Sequence, residues 1–237
     1  MRYAESVVLL LLLAACAPAP WRMPGPLGGL GRGADESVTA YLARRAPESP
    51  APEPAGRQAP NAIARKIAAA AESFVGDGRL VVAGESYRFD CSGLVEAALA
   101  KAGVSASGSS AMLYEQARDA GLLHRRRHPS PGDVAFYDNT YDRNGNGRLD
   151  DELSHTAIVV SVDAAGTVEL VHVGSGGVVR FAMNLTLPHE EANADGKVND
   201  FLRARTRRDP TGTRYLAGEL WVGFGSFWAQ TTAVATR

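Results

Sequence analysis

The hydrophobic periodicity of the chain changes once, near residue 130, and this change limits the folds that the chain can adopt. Before it, apolar residues recur at helical spacing in three segments that end at or near a glycine, residues 61–76, 91–103 and 109–121. After it, a period of two marks five segments, residues 134–137, 155–162, 167–173, 177–183 and 219–228. Helices followed by a run of antiparallel strands predict an α+β fold.

The first sixteen residues have the features of an export signal. Arg2 supplies a short basic region, and the apolar run over 7–13 is too short to span a membrane. The sequence "LAAC" (13–16) resembles a bacterial lipobox, whose cysteine, here Cys16, is lipidated and becomes the new N-terminus. Glu5 departs slightly from this pattern, and an ordinary signal peptide or an uncleaved apolar start is the alternative. We therefore expect an exported protein, lipid-anchored in the bacterial cell envelope at the periplasm or outer membrane.

The composition divides the rest of the chain into a tether, one domain and a short tail. Residues 17–59 are dense in Pro, Ala and Gly and predict a semi-extended tether, with one short helical pattern over 34–46. Residues 60–230 are long enough for one domain with a substantial core, and 231–237 form a tail. The net charge of −1 gives no general case for nucleic-acid binding, so the basic clusters 124–128 and 203–208 are interpreted as solvated loops.

Cys91 is the first candidate for chemistry. The chain has two cysteines, and lipidation of Cys16 would leave Cys91 without a disulfide partner. Asp90 is a good N-cap, which would place Cys91 in the first turn of a helix, where the macrodipole lowers the pKa of a thiol. Cys91 is therefore either a nucleophile or a small buried structural residue.

Two of the five histidines lie in predicted strands. His155 and His172 qualify, whereas His124, His128 and His189 fall in polar loops. If the two strands pair through the turn 163–166, Val162 faces Thr167 and Ala157 faces His172, so both histidines share one face. A bulge at Gly166 would break that parity, and two histidines satisfied structurally at strand ends are the alternative.

Four segments together resemble the NlpC/P60 family of cysteine peptidases, namely "FDCSGLV" (89–95), "SPGDVAFY" (130–137), "SHTAIVV" (154–160) and "VHVGSGGVV" (171–179). The resemblance covers roughly residues 61–228 and implies a papain-like fold, with N-terminal helices packed on an antiparallel sheet. It assigns the nucleophile to Cys91, the general base to His155 and the residue that orients the base to His172. No cofactor is implied.

The resemblance also implies a substrate class. Family members typically cleave peptidoglycan stem peptides, often at the D-glutamyl–diamino acid bond, so we expect peptidoglycan peptides as partners of a monomeric enzyme. The chain departs from the family in lacking an upstream active-site tyrosine, since Tyr87 stands only four residues before Cys91. A cysteine amidase or acyltransferase with another substrate, or a non-catalytic wall-associated module, are the alternatives.

A further motif precedes the predicted base. The segment "DRNGNGRLDDEL" (142–153) has the oxygen spacing of an EF-hand-type calcium loop. The ligands would be the side chains of Asp142, Asn144, Asn146 and Asp150 and the Arg148 carbonyl. Leu153 stands where a bidentate glutamate is usual, although Glu152 is adjacent. A structural calcium ion would order the start of the strand that carries His155, and a metal-free polar turn is the alternative.

Overall fold

The structure, a computed structural model, describes residues 61–232. The expected signal peptide, Cys16, the tether over 17–59 and most of the C-terminal tail lie outside the described residues. Within the described part, no helix combines the length and the apolar character that crossing a membrane requires.

The three long helices precede the long strands, as predicted. The helices are α1 (Ala62–Glu72), α2 (Cys91–Lys101), α3 (Ser110–Asp119) and α4 (Ala217–Leu220), with a 3₁₀ helix at Phe227–Thr232. The strands are β1 (Leu80–Val82), β2 (Glu85–Tyr87), β3 (Leu123–His124), β4 (Val134–Tyr137), β5 (His155–Val162), β6 (Thr167–Gly174), β7 (Gly177–Asn184), β8 (Ala192–Asn193), β9 (Gly196–Lys197) and β10 (Trp221–Gly225). The short strands β1 and β2 lie between α1 and α2, and α4 lies between β9 and β10.

One six-stranded antiparallel sheet organises the domain, in the order β3-β10-β4-β5-β6-β7. Helices α1, α2 and α3 pack on one face, where Leu94, Leu99 and Leu113 are buried against Phe136 and Ile158. This arrangement confirms the expected α+β fold with N-terminal helices on an antiparallel sheet.

The opposite face of the sheet is also covered. The connection between β7 and β10 returns across it, and Leu185, Ala217 and Leu220 pack there against Tyr137 and Phe181. Period-two patterning requires only that one face of each strand be buried. Strands β4 and β5 carry long apolar runs because both of their faces are inside the protein.

The pairing of β5 with β6 combines two irregularities that cancel. Gly166 has a positive φ of 83° at the turn, and Val162 pairs with Val168, so the predicted pairing of Val162 with Thr167 is wrong. A bulge between Val159 and Ser161 then restores the predicted register, and Ile158 faces Val171. The expected register therefore holds at the end of the strands where His155 and His172 lie.

Two of the structured regions that were not predicted lie before β4. Strands β1 and β2 form a hairpin that packs on α2, and its two-residue turn has positive φ at both Ala83 and Gly84. His124 lies in β3, paired with β10. Its interpretation as part of a solvated polar loop is wrong, because its side chain is largely buried against Asp133.

Candidate active site

Cys91 occupies the first position of α2, as the sequence predicts. The Asp90 side chain accepts a hydrogen bond from the Gly93 N–H at 2.7 Å, and the Asp90 carbonyl accepts one from the Leu94 N–H at 3.0 Å. These bonds satisfy the third and fourth N–H groups of the helix. The remaining two, those of Cys91 and Ser92, are directed at the Cys91 sulfur.

Close packing explains why the "DCSG" motif has a glycine at position 93. A Cβ atom at Gly93 would lie 1.9 Å from the Arg88 carbonyl oxygen and 2.8 Å from its carbon. The first turn of α2 therefore rests directly on the backbone that leads into it. This close contact fixes the position of Cys91 relative to the segment before it.

A polar clamp holds the same segment. The Arg88 guanidinium donates to Glu96 at 2.8 Å and to the Gly108 carbonyl at 2.9 Å. Glu96 in turn accepts a hydrogen bond from the Gly108 N–H at 2.6 Å. The clamp ties the approach to Cys91 to the loop between α2 and α3.

His155 and His172 form a direct pair. Nε2 of His155 and Nδ1 of His172 are 2.8 Å apart, and the two rings are perpendicular. The Tyr137 ring lies beside His155 and the Phe181 ring beside His172, with centroids 6.2 and 4.5 Å apart respectively. The hydrogen bond is the one that a general base and its orienting residue require.

The Cys91 thiol lies close to the start of β5. The ladder between β5 and β6 ends at Ile158 and Val171, so Thr156 is not paired with β6. The Thr156 N–H is directed at the Cys91 sulfur, which brings the thiol beside the residue that follows His155. Among the hydrogen bonds of the described residues, none joins Cys91 to His155. Such bonds are often long in a free enzyme and tighten when substrate binds.

All three groups are neutral near pH 7. Burial raises the pKa of the Cys91 thiol; the N–H of Thr156 opposes this effect and the charge of Asp90 adds to it. The expected lowering of this pKa by the helix macrodipole is therefore not found, because burial outweighs it. Burial lowers the pKa of His155 to about 3, helped by the charge of His172. Burial also lowers the pKa of His172 to about 4, although the Asp200 carboxylate raises it.

The four predicted side-chain ligands of the calcium-like loop come together. Asp142 accepts hydrogen bonds from the N–H groups of Asn146 and Gly147, at 3.1 and 2.8 Å. Asn144 accepts from the Asn146 N–H at 3.0 Å, and both asparagine amides donate to Asp150. The Glu152 side chain is exposed. Among the described residues, no three His, Cys, Asp or Glu side chains gather as metal ligands.

Asp151 is a loop residue that the sequence interpretation passed over. Its side chain is almost fully buried, and neither carboxylate oxygen has a hydrogen-bond partner. The closest cation is Arg143, whose Nε lies 4.0 Å from Oδ1. A buried carboxylate with so little compensation is unusual in a folded protein.

The end of the loop is fastened to the segment that follows β4. Leu153 is buried instead of facing a metal, and its N–H donates to Asp138 at 2.7 Å. The Ser154 hydroxyl accepts a hydrogen bond from the Thr140 N–H at 2.9 Å. These bonds fix the two residues that directly precede His155.

Asp133, in the "SPGD" segment, has a structural role that the motif alone does not reveal. Its buried carboxylate accepts hydrogen bonds from the Ser130 N–H, the Ser226 hydroxyl and the Trp228 indole, and lies 3.2 Å from His124 Nε2. Burial raises the pKa of the Asp133 carboxylate. The hydrogen bonds, chiefly that of His124, have the opposite and larger effect, so the pKa lies below its ordinary value. Asp133 joins the turn before β4 to the end of β10.

Tyr87 does not replace the missing tyrosine of the family. It belongs to β2, packs against the helical core cluster, and its hydroxyl interacts with Glu85. Among the described contacts, none joins Tyr87 to His155 or His172.

Comparison with known proteins agrees with this geometry. Residues 82–173 match the family model described as the CHAP domain, a range that contains Cys91, His155 and His172. No curated protein matches the chain significantly.

A solved structure is also similar, a protein from Staphylococcus aureus described as similar to lipoprotein of the NLP/P60 family. The identity is 22% and the TM-score 0.33, over 52% of this chain and 39% of the other. The chain therefore spans about two fifths of the length of that protein, and a TM-score this low does not establish a common fold. Residues 82–173 resemble a CHAP domain, and this match, together with the α+β fold of helices on an antiparallel sheet, supports a similarity to papain-like cysteine peptidases of the NlpC/P60 type.

Proposed function

We propose that the protein is a cell-envelope cysteine hydrolase that cleaves amide bonds in peptidoglycan stem peptides. The observation that carries the proposal is the His155–His172 hydrogen bond, together with the Thr156 N–H directed at the Cys91 sulfur, within the range matched by the CHAP family model. Cys91 would be the nucleophile, His155 the general base and His172 the residue that orients the base.

The contacts of His155 support one tautomer of its ring. A base acting on Cys91 needs a free lone pair on Nδ1, because Nε2 is occupied by His172. Nε2 of His155 then carries the hydrogen and donates it to Nδ1 of His172, whose own proton sits on Nε2. Both imidazoles are neutral in this state, in agreement with the lowered pKa values of both rings.

Attack then proceeds by general-base catalysis instead of from a preformed thiolate. The pKa of the thiol is raised, so His155 removes the proton as the sulfur adds to the amide carbonyl. The N–H groups of Cys91 and Ser92, which lie next to the sulfur and have no acceptor within the helix, are the donors available to the oxyanion. His155 returns its proton to the leaving amine, and a water molecule activated by His155 hydrolyses the thioester.

The bond that we expect to be cut is the D-glutamyl–diamino acid bond. This choice rests on the family resemblance alone, and among the described contacts none joins Tyr87 to the histidine pair. A cysteine amidase or acyltransferase with another substrate uses the same three residues and is the second candidate. A non-catalytic wall-associated module would have no use for the hydrogen bond between the two histidines.

Purified muropeptides test the proposal directly. The full chain is incubated with them and the products are identified by mass spectrometry, in parallel with Cys91→Ala, His155→Ala and His172→Asn. We expect cleavage by wild type, none by the first two variants and weak cleavage by the third, because asparagine still offers an acceptor. His189→Gln, at an exposed histidine outside the site, is the matched control and should be fully active. Cleavage by Cys91→Ala would exclude the mechanism.

We also propose that Cys16 carries a lipid anchor that holds the enzyme in the envelope. The lipobox-like sequence before Cys16 supports this assignment. Metabolic labelling with a palmitate analogue should mark the wild-type chain and leave Cys16→Ser unlabelled. Equal labelling of both chains would contradict the anchor.

We propose, separately, that the loop over 142–153 binds a structural calcium ion. The shared network of Asp142, Asn144, Asn146 and Asp150 supports this, as does the buried carboxylate of Asp151 without hydrogen bonds. Calcium should raise the melting temperature of wild type and leave that of Asp142→Ala/Asn146→Ala unchanged. Equal melting in calcium and in chelator would contradict the site.

A further inference from the structure

We propose that Gly174 is a positioning residue of the catalytic site. Because it has no side chain, the His172 ring can align with His155, and Nε2 of His172, the outer nitrogen of the ring, stays uncovered. The inference rests on the proposed function, and it explains the position of a glycine that no turn requires. It adds a fourth residue to the site, one that acts through His172.

A side chain at position 174 would crowd the His172 ring. His172 and Gly174 are two positions apart on β6, so their side-chain directions fall on the same face. A Cβ atom at Gly174 would lie 3.1 Å from Nε2 of His172 and 3.3 Å from a methyl carbon of Val179. Both distances are shorter than ordinary van der Waals contacts.

Two contacts restrain the His172 ring. Phe181 lies beside it with ring centroids 4.5 Å apart, and Nδ1 is held by His155 at 2.8 Å. A shift of a few tenths of an ångström at Nε2 therefore tilts Nδ1 away from its partner. The base would then lose the contact that fixes its orientation and its tautomer.

Nε2 of His172 also needs open space beside it. In the proposed tautomer Nε2 of His172 carries a hydrogen, and no hydrogen bond among the described residues uses that atom. When His155 becomes positively charged during attack, Nδ1 of His172 accepts a stronger hydrogen bond, and the Nε2–H group becomes a stronger donor. A side chain at 174 would cover this group, whereas glycine leaves it accessible to water.

Backbone conformation does not explain the glycine. The positive φ of this hairpin, 105°, belongs to Gly177, whereas Gly174 has no such φ and alanine fits its backbone. Gly176, in the same hairpin, also lacks a positive φ, and a Cβ atom added there would meet nothing within 4 Å. It therefore provides a matched control for any loss of glycine flexibility.

Gly174→Ala and Gly176→Ala are compared with wild type in muropeptide cleavage. We expect Gly174→Ala to lower kcat by about 10-fold, since small displacements of a catalytic group have effects of this order. KM should stay within about 2-fold and the melting temperature should not change. Gly176→Ala should match wild type. Equal kcat in the two variants would overturn the inference while the proposed function stands.

A measurement independent of activity separates the two proposals. With ¹⁵N-labelled histidine in the Cys91→Ala background, nitrogen resonances report tautomer and hydrogen bonding. Adding Gly174→Ala should shift both ring nitrogens of His172 and Nε2 of His155, and leave His189 unchanged. Unshifted resonances would refute the role of Gly174. If wild type cleaves no muropeptide but the resonances shift, the positioning holds and the proposed substrate fails.

Discussion

Replacing Gly93 with alanine should lower both the stability and the activity of the protein, although alanine is the better helix former. In an open helical position the substitution would stabilise by about 0.5–1 kcal/mol, because glycine loses more backbone entropy on folding. At Gly93 the new Cβ would meet the Arg88 carbonyl oxygen at 1.9 Å. The obstacle is backbone, so no side-chain rotation relieves it.

The size of the effect follows from the distance. Real Cβ contacts are not shorter than 3.0 Å, so the Arg88 segment and the first turn of α2 must separate by more than 1 Å. Overpacking of this kind costs about 1–3 kcal/mol, and the loss of the Asp90 cap on the Gly93 N–H adds about 1 kcal/mol. After the gain in helix propensity, we expect a net loss of about 2 kcal/mol. A displacement of about 1 Å at Cys91, the proposed nucleophile, predicts about 100-fold lower kcat.

Urea unfolding and muropeptide cleavage measure the two effects. Gly78→Ala is the control, because Gly78 has open space around its Cβ position and no positive φ. It should be as stable and as active as wild type. If Gly93→Ala unfolds at the same urea concentration as Gly78→Ala, the close contact at Arg88 does not constrain the helix start and the reasoning is refuted.

Three further predictions follow from the buried polar groups. Since burial lowers the pKa of His155 to about 3 and that of His172 to about 4, the unfolded chain binds more protons as pH falls below about 6.5, and stability should fall from there toward pH 4. Each histidine contributes up to about 1.4 kcal/mol per pH unit, so urea unfolding of His172→Asn should show a shallower slope, and equal slopes would contradict this. Alkylation of Cys91 by iodoacetamide, followed on its tryptic peptide, should accelerate up to and beyond the ordinary thiol pKa, whereas a plateau near pH 6 would indicate a preformed thiolate. Asp133→Asn should cost about 2–4 kcal/mol in urea unfolding, because an amide cannot accept from all of its donors, and Asp195→Asn, at an exposed site, should cost nothing measurable.

Local patterns predicted the elements that carry the site. The N-cap Asp90 set the start of α2, because its side chain is one of the few that satisfy a helix N-terminus. Alternation of apolar and polar residues gave the strands of His155 and His172 within one residue. The predicted register was right at the histidines, but the turn was not, since Gly166 and the bulge at Val159–Ser161 are compensating features that a simple count does not show.

Electrostatics could not be predicted in the same way. The sequence shows that Cys91 stands at a helix start, which favours a thiolate, but not how deeply the sulfur is buried. Burial is the larger effect and raises the pKa. His124 was misjudged for a similar reason, since three arginines beside it suggest solvent, whereas its partner Asp133 is nine residues away and buried.

Caps and periodicity act between residues that are close in the chain, so local patterns predict the main helices and strands, the cysteine at the helix start and the two strand histidines. The opening of the sheet beside Thr156, the contact of Arg88 with Gly93 and the room that Gly174 leaves for the His172 ring depend on the tertiary structure. Those contacts join backbone and side-chain atoms at distances of a few ångströms. Such distances depend on how whole elements pack, and no residue pattern encodes them locally.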